Sequence, residues 1–155
     1  MRFDYHEQQE ITRPMRELSK AAGSGTLEPK LLEIIKVRAS QLNGCAHCLE
    51  MHTKEARAMG ESDDRLHLVA VWREAPVFSE RERAALSWCE ELTLISAREV
   101  PDELYDEVRQ YFSEEEMWRL TLAIVVINSY NRLAIATRAP VGDYVPRKIS
   151  SSSKS

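Results

Sequence analysis

The segment GCAHCLEMH, residues 44–52, places two cysteines and two histidines within nine residues. On a helix that turns by about 100° per residue, Cys45, Cys48 and His52 fall on one stripe, because steps of three and four residues make side chains neighbours. His47 falls on the far side of the same helix and would act from the flank or not at all. The spacing therefore indicates one local site made of two thiols and an imidazole.

The start of a helix favours the reactive, deprotonated form of a cysteine. Gly44 allows a sharp turn, so Cys45 is expected at or near the first turn, where unpaired backbone N–H groups and the helix dipole stabilise a thiolate. Cysteines of CxxC motifs in such places have pKa values lowered from ~8.5 to between ~3.5 and ~7.5. His52, one turn after Cys48, can accept a thiol proton. This pattern predicts a redox-active dithiol.

The same segment allows three other interpretations. Haem attachment needs a histidine directly after the second cysteine, and Leu49 stands there. A zinc site could use both cysteines and His52, with Glu33 as a fourth ligand, although structural zinc usually takes its ligand pairs from separate elements. Small thiols can also simply pack in a helical core, which is the expectation for the lone Cys89. Zinc binding and core packing stay open at this point.

Composition bounds the class of protein. The 155 residues are 43% hydrophobic and 30% charged, with a formal net charge of −4, as expected for one globular domain without a nucleic-acid surface. The N-terminus has no apolar core of a signal peptide, and the run Leu120–Ile127 is shorter than the ~20 residues of a membrane span. We therefore expect a cytoplasmic protein that needs no membrane. In a reducing compartment, a close CxxC pair indicates redox or metal chemistry.

Helix signals recur along the chain, and no strand pattern of useful length interrupts them. Thr12 is a candidate N-cap with Pro14 in the first turn, and SxxE capping boxes begin at Ser79 and Ser113. The signals predict an all-α bundle, one domain over residues 1–146 and a disordered tail over 147–155. The expected helices cover about 12–22, 29–42, 45–60, 63–74, 79–96, a short segment from 101, and 114–137.

The last helix is apolar around much of its circumference, which predicts burial on several sides and a homo-oligomer. The helix also contains three polar residues, Asn128, Asn131 and Arg132. We expect them to satisfy one another at a subunit contact, with lining of a pocket as the alternative. The tryptophans are expected in the core or at an interface; they are Trp72, Trp88 and Trp118.

Residues 31–60, LLEIIKVRASQLNGCAHCLEMHTKEARAMG, carry a further pattern. A glutamate is followed twelve residues later by the first cysteine of a CxHC motif. A histidine stands four residues after the second cysteine of that motif. This pattern resembles the core of the AhpD-like alkylhydroperoxidases within the carboxymuconolactone decarboxylase family. The similarity covers about residues 27–96 and returns in LTLAIVVINSYNRLAIATR. The matching positions are Glu33, Cys45, His47, Cys48 and His52.

The resemblance implies an all-helical fold, trimers or hexamers, and the reduction of organic hydroperoxides without a cofactor. It also implies that Cys48 attacks and becomes a sulfenic acid, that Cys45 resolves it to a disulfide, and that Glu33 and His52 relay protons, with His47 as a further candidate. A lipoyl group such as dihydrolipoamide, a thiol protein or a peroxiredoxin partner would recycle the disulfide.

Several alternatives remain from the sequence. The lactone decarboxylase branch of that family does not depend on a dithiol, so the CxxC argues against it. A non-catalytic redox sensor or a zinc-binding oligomeric module would keep the cysteines without turnover. Glu33 is either buried with a proton partner or a surface residue between Lys30 and Lys36, since buried glutamates are rare without one.

Overall fold

The computed structural model describes residues 1, 2, 4 and 7–146 of the chain, so the predicted disordered tail, 147–155, lies outside the described residues. The described part folds into helices connected by turns, which confirms the predicted all-α class. In chain order the elements are α1 (Gln9–Gly23), α2 (Pro29–Asn43), α3 (Ala46–Ala58), α4 (Asp63–Leu68), a 3-10 helix (Val69–Val71), α5 (Glu80–Thr93), α6 (Asp102–Arg109) and α7 (Glu114–Thr137).

Most helix ends follow their sequence signals. Both predicted capping boxes form, at the starts of α5 and α7. The predicted N-cap at Thr12 is wrong, because α1 begins at Gln9 and the Thr12 hydroxyl donates to the Gln8 carbonyl from inside the helix. Pro14 consequently lies in the interior of α1. The helix expected over 63–74 ends at Leu68 and tightens into the 3-10 turn.

Helix α2 is the centre of the bundle and packs against α3, α5 and α7. Its side chains Ile34, Ile35 and Val37 are fully buried. Burying each such side chain stabilises the fold by about 1.5–3 kcal/mol relative to leaving it in water. Because α2 is enclosed on three sides, a polar residue on it must find a partner on a neighbouring helix.

Helix α7 is long and apolar enough to cross a membrane, and among the described residues it is the one helix of which this is true. Half of its apolar stretch is buried inside the bundle, against α1, α2 and α5. Core helices of globular proteins pass the same test, so this feature is weak support for a membrane span. Leu120, Ile124 and Ile127 form its buried side.

The opposite side of α7 leaves apolar side chains in solvent. Trp118 and Val125, seven residues apart and on one stripe, are 64% and 46% exposed. Trp118 is therefore not a core residue of the single chain, whereas Trp72 and Trp88 are. Exposed apolar stripes of this kind are commonly covered by association.

We expect the protein to be a homo-oligomer that uses this stripe. Light scattering at micromolar concentration should give a mass well above 17.8 kDa, and Val125→Glu should lower it, because a carboxylate in an apolar interface is costly. Val145→Glu, at an exposed valine after α7, is the matched control and should leave the mass unchanged. A monomeric wild-type protein would contradict the expectation.

A buried ion cluster joins α2 to α5 and was not indicated by the sequence. Glu90 is 3% exposed. Its carboxylate accepts hydrogen bonds from Arg38 Nε and Trp72 Nε1, both at 2.8 Å, and from Arg73 Nη1 at 2.5 Å. Burial alone would raise the pKa of Glu90, but the bonds from Trp72, Arg73 and Arg38 outweigh it and hold the pKa below its usual value. Glu90 is thus a buried carboxylate.

This cluster should make stability depend on pH. A carboxyl group whose pKa is lowered by folding contributes stability above its unfolded pKa and loses that contribution as the pH falls through the folded value. Glu90→Gln should lower the free energy of unfolding at pH 7 by about 3 kcal/mol and flatten its decline in acid. Urea denaturation at pH 7 and below pH about 4 measures both effects. Glu80→Gln, on the exposed side of α5, is the control and should leave the acid dependence of the free energy of unfolding unchanged. If Glu90→Gln and the wild type showed the same acid dependence, the stabilising role of the Glu90 carboxylate would be refuted.

Candidate functional site

The turn between α2 and α3 sets the position of the first cysteine. Gly44 adopts a left-handed conformation with φ of 67°. Its N–H donates to the Gln41 carbonyl at 3.2 Å, and the Cys45 N–H donates to the Ser40 carbonyl at 3.0 Å. These two bonds form a Schellman motif, which ends α2 and reverses the chain. Cys45 therefore becomes the N-cap of α3.

The two thiols form one unit at the start of α3. Both are free, and Cys45 and Cys48 are 2% and 1% exposed. The Cys48 N–H points at Cys45 Sγ, 3.4 Å away. A hydrogen bond from the Cys48 thiol, with further donation from the Cys48 N–H and the Asn131 amide, lowers the pKa of Cys45 to about 6. The same thiol–thiolate bond, together with burial, raises the pKa of Cys48. The resting site thus holds its charge on Cys45 and its proton on Cys48.

Glu33 and His52 form a buried pair beside the thiols. Glu33 is 5% exposed, so it is not a surface residue between two lysines. Its Oε2 lies 2.8 Å from His52 Nδ1, and its Oε1 accepts from Lys36 Nζ at 2.7 Å. Burial alone would raise the pKa of Glu33, but His52 and Lys36 outweigh it and lower the pKa. Because a carboxylate accepts, His52 carries its proton on Nδ1 and leaves Nε2 as a base.

The segment after α7 contacts His47, the second histidine of the motif, which lies on α3. His47 Nδ1 lies 2.6 Å from the Pro140 carbonyl, so His47 also carries its proton on Nδ1. The segment is fixed to α3 by the Gly142 N–H, which donates to Glu50 at 2.8 Å, and by Lys54, which donates to the Tyr144 carbonyl at 2.9 Å. A stretch distant in sequence therefore orients His47.

A buried amide network encloses the thiols on the side of α7. Asn131 is fully buried. Asn43 Nδ2 donates to Oδ1 of both Asn131 and Asn128 at 2.9 Å, and Asn131 Nδ2 donates to Ser40 Oγ at 3.1 Å. Asn128 in turn donates to Thr93 Oγ1 at 3.0 Å. Asn131 and Asn128, two of the polar residues that the sequence marked in the apolar last helix, thus bond to side chains of α2 and α5.

A cavity of about 540 Å³ opens between α1, α2, α3 and α7. His47, Met51 and His52 line it from α3. At about 100° per residue, the direction of Cys48 falls between those of Met51 and His52, so the three residues share one side of α3. Neither cysteine lines the cavity itself, and His52 bonds to Glu33 and to neither thiol. Of the five predicted site residues, His47 and His52 line the cavity. Glu33 bonds to His52, and Cys45 lies against Cys48.

The geometry of the cysteines bears on two alternatives, zinc binding and core packing. Among the described residues, no three His, Cys, Asp or Glu side chains converge where a metal ion could be held. The four ligands of the zinc alternative, Cys45, Cys48, His52 and Glu33, do not form such a group. Cys89 is fully buried, its Sγ lies 3.5 Å from the Ile35 carbonyl, and burial raises its pKa to about 12. The prediction that Cys89 packs in the core is confirmed.

Known proteins resemble this chain in sequence and in structure. The model of the carboxymuconolactone decarboxylase family matches residues 9–91. The uncharacterised protein YdfG of Bacillus subtilis (strain 168) is 43% identical over 122 residues, which is 79% of this chain and 83% of YdfG. The uncharacterised protein YnjA of Escherichia coli (strain K12) is 28% identical over 114 residues, 74% of this chain and 62% of YnjA.

A protein of unknown function from Agrobacterium tumefaciens, ATU0492, has a crystal structure and a provisional assignment as the antioxidant defence protein AhpD. It superposes with a TM-score of 0.87 and 38% identity, covering 92% of this chain and 99% of that one. The debrominase Bmp8 superposes with a TM-score of 0.76 at 19% identity over 89% of this chain and 74% of Bmp8, a likeness of fold alone.

Proposed function

Because the chain belongs to the carboxymuconolactone decarboxylase family and has the AhpD-like fold, we propose that it reduces organic hydroperoxides through a Cys45/Cys48 dithiol–disulfide cycle. The observation that carries this proposal is the pair of cysteines at the start of α3, with the Cys48 N–H directed at Cys45 Sγ, on the helix whose His52 bonds to the buried Glu33. Nucleophile, base and orienting group are then present together.

The first step uses Cys48 as the nucleophile. His52 Nε2 takes the Cys48 proton, and the Glu33 carboxylate stabilises the imidazolium that results. The Cys48 thiolate attacks the terminal peroxide oxygen, so that an S–O bond forms and the O–O bond breaks. The departing alkoxide takes the proton back from His52 and leaves as the alcohol. Cys48 is then a sulfenic acid.

The second step uses the charge already present on Cys45. The Cys45 thiolate attacks the Cys48 sulfur, the S–S bond forms and the S–O bond breaks. Hydroxide leaves and takes a proton from solvent to become water. In the resting pair the hydrogen bond from the Cys48 thiol lowers the pKa of Cys45 to about 6, so Cys45 enters the cycle as a thiolate. The pKa asymmetry of the pair therefore suits Cys45 to resolving and leaves Cys48 dependent on His52.

Recycling needs an external dithiol. A reductant such as dihydrolipoamide attacks the disulfide through a mixed disulfide and leaves with two electrons fewer, so both cysteines return as thiols. A lipoyl protein, another thiol protein or a peroxiredoxin is the corresponding partner class. The cycle uses no cofactor and no metal. It differs from the decarboxylase chemistry of the family, which does not use the dithiol.

Turnover with defined reagents tests the proposal. The protein, cumene hydroperoxide and dihydrolipoamide should yield many equivalents of alcohol per subunit. Cys89→Ala, which removes the core thiol, is the matched control and should retain turnover. One stoichiometric oxidation without turnover would overturn the proposal in favour of a redox sensor. Stoichiometric zinc that blocks both thiols until it is chelated would overturn it in favour of a metal site.

A further inference from the structure

The cavity beside His52 has a charge opposite to that of the chain. Acidic residues outnumber basic ones by 25 to 21 in the whole sequence. The cavity lining nevertheless includes Arg16, Lys20 and Lys36 and no aspartate or glutamate. A cavity with basic side chains and no acidic ones favours an anionic ligand.

Two of these cations are available for a ligand. Lys36 is neutralised by Glu33 at 2.7 Å. Arg16 donates to the Thr12 hydroxyl at 2.9 Å, and neither it nor Lys20 has a carboxylate partner among the described residues. Both project from α1, four residues apart, so they share one face of that helix. The cavity therefore has its uncompensated positive charge on the α1 wall.

The rest of the cavity is largely apolar. The side chains of α2, α3 and α7 in its wall include well-buried ones such as Leu32 and Ile127. Helix α1 packs mainly against α7, and α3 mainly against α2, so the cavity lies between the α1 wall and the α3 wall. A ligand that spans it meets cations at one end and the two histidines at the other. Further apolar lining comes from Met51, Ala123, Val126 and Leu133.

We propose that this cavity binds hydroperoxides that combine an apolar chain with a carboxylate, such as fatty-acid hydroperoxides. The carboxylate binds Arg16 and Lys20, the chain lies along α7, and the peroxide group reaches the His52 end. This specificity rests on the proposed hydroperoxide reduction. Because Arg16 and Lys20 are exposed to solvent, their charge-assisted bonds should favour the acid over a neutral analogue by about tenfold at low salt.

A binding measurement tests the specificity without any turnover. Calorimetric titration with decanoate and with decanol should show about tenfold tighter binding of the acid to the wild-type protein. In the double variant Arg16→Gln/Lys20→Gln the two ligands should bind alike. Arg13→Gln removes a charge from α1 outside the cavity, where Arg13 pairs with Glu17, and should keep the preference. Equal binding of decanoate and decanol by the wild type would overturn the proposal.

A kinetic measurement separates this proposal from the one it rests on. The ratio of kcat/KM for linoleic acid hydroperoxide to that for its methyl ester should be about ten in the wild type and in Arg13→Gln, and should approach one in the double variant. Turnover without any preference for the acid would overturn the specificity alone. A preserved decanoate preference without reduction of any hydroperoxide would overturn the peroxidase function and leave the anion site standing.

Discussion

Replacing Cys48 by serine is expected to lower the rate of reaction with hydroperoxide by at least about a thousandfold, because the attacking sulfur is lost. Replacing Cys45 by serine should instead allow one equivalent of hydroperoxide to react and then stop. The Cys48 sulfenic acid formed in that variant has no thiolate partner, so it should persist and be labelled by dimedone. Stopped-flow consumption of cumene hydroperoxide and mass spectrometry of the labelled peptide measure the two outcomes.

The resting charge distribution makes this a strict test of the roles. Cys45, not Cys48, has the lowered pKa in the resting site. If thiolate population alone decided which sulfur attacks, Cys48→Ser would react at the wild-type rate and dimedone would label Cys45. That result would reverse the assignment. Cys89→Ala is the control for loss of an unrelated thiol, since Cys89 is fully buried away from the cavity.

Replacing Glu33 by glutamine should slow hydroperoxide reduction by about 10²–10⁴-fold while both cysteines remain. The carboxylate holds the Nδ1 proton of His52 at 2.8 Å and stabilises the imidazolium; a neutral amide does neither as well. His52→Gln should have an effect of similar size for the same reason. Steady-state kcat/KM with cumene hydroperoxide and excess dihydrolipoamide measures both.

Glu90→Gln provides the matched control for the relay variants. Glu90 is as buried as Glu33 and also ion-paired, but its partners are Arg38, Trp72 and Arg73 and do not include a histidine. Its replacement should destabilise the protein and keep the peroxidase rate at temperatures where the fold is intact. If Glu33→Gln retained the wild-type rate, or if Glu90→Gln lost as much as Glu33→Gln, a specific proton relay through Glu33 and His52 would be excluded.

Local signals in the sequence were enough for much of the fold. The two SxxE capping boxes predict the starts of α5 and α7, because each box depends on residues three positions apart. Gly44 predicts the end of α2, since the left-handed turn it adopts disfavours other residues. The start of α1 could not be predicted in the same way. Gln8 caps it without a side-chain bond, and Thr12 forms a bond within the helix instead.

The surroundings of the thiols depend on contacts between distant residues, and sequence spacing does not reveal those. Asn131 is 86 residues after Cys45 and reaches it because α7 packs against α2. His47 is oriented by the Pro140 carbonyl, 93 residues later. The Glu90 cluster joins residues 52 positions apart. By contrast, Cys45, Cys48 and His52 are within two turns of α3, so their proximity could be predicted.

The most direct test of the dithiol cycle is the state of one tryptic peptide. Cleavage after Arg38 and Lys54 places Cys45 and Cys48 together on residues 39–54, and Cys89 on another peptide. After one equivalent of cumene hydroperoxide and alkylation, peptide 39–54 should be unalkylated and two hydrogen atoms lighter than its reduced form, while Cys89 stays reduced. Dihydrolipoamide should restore two alkylatable thiols. Peptide 39–54 still alkylated at both cysteines after the peroxide has been consumed would contradict the account.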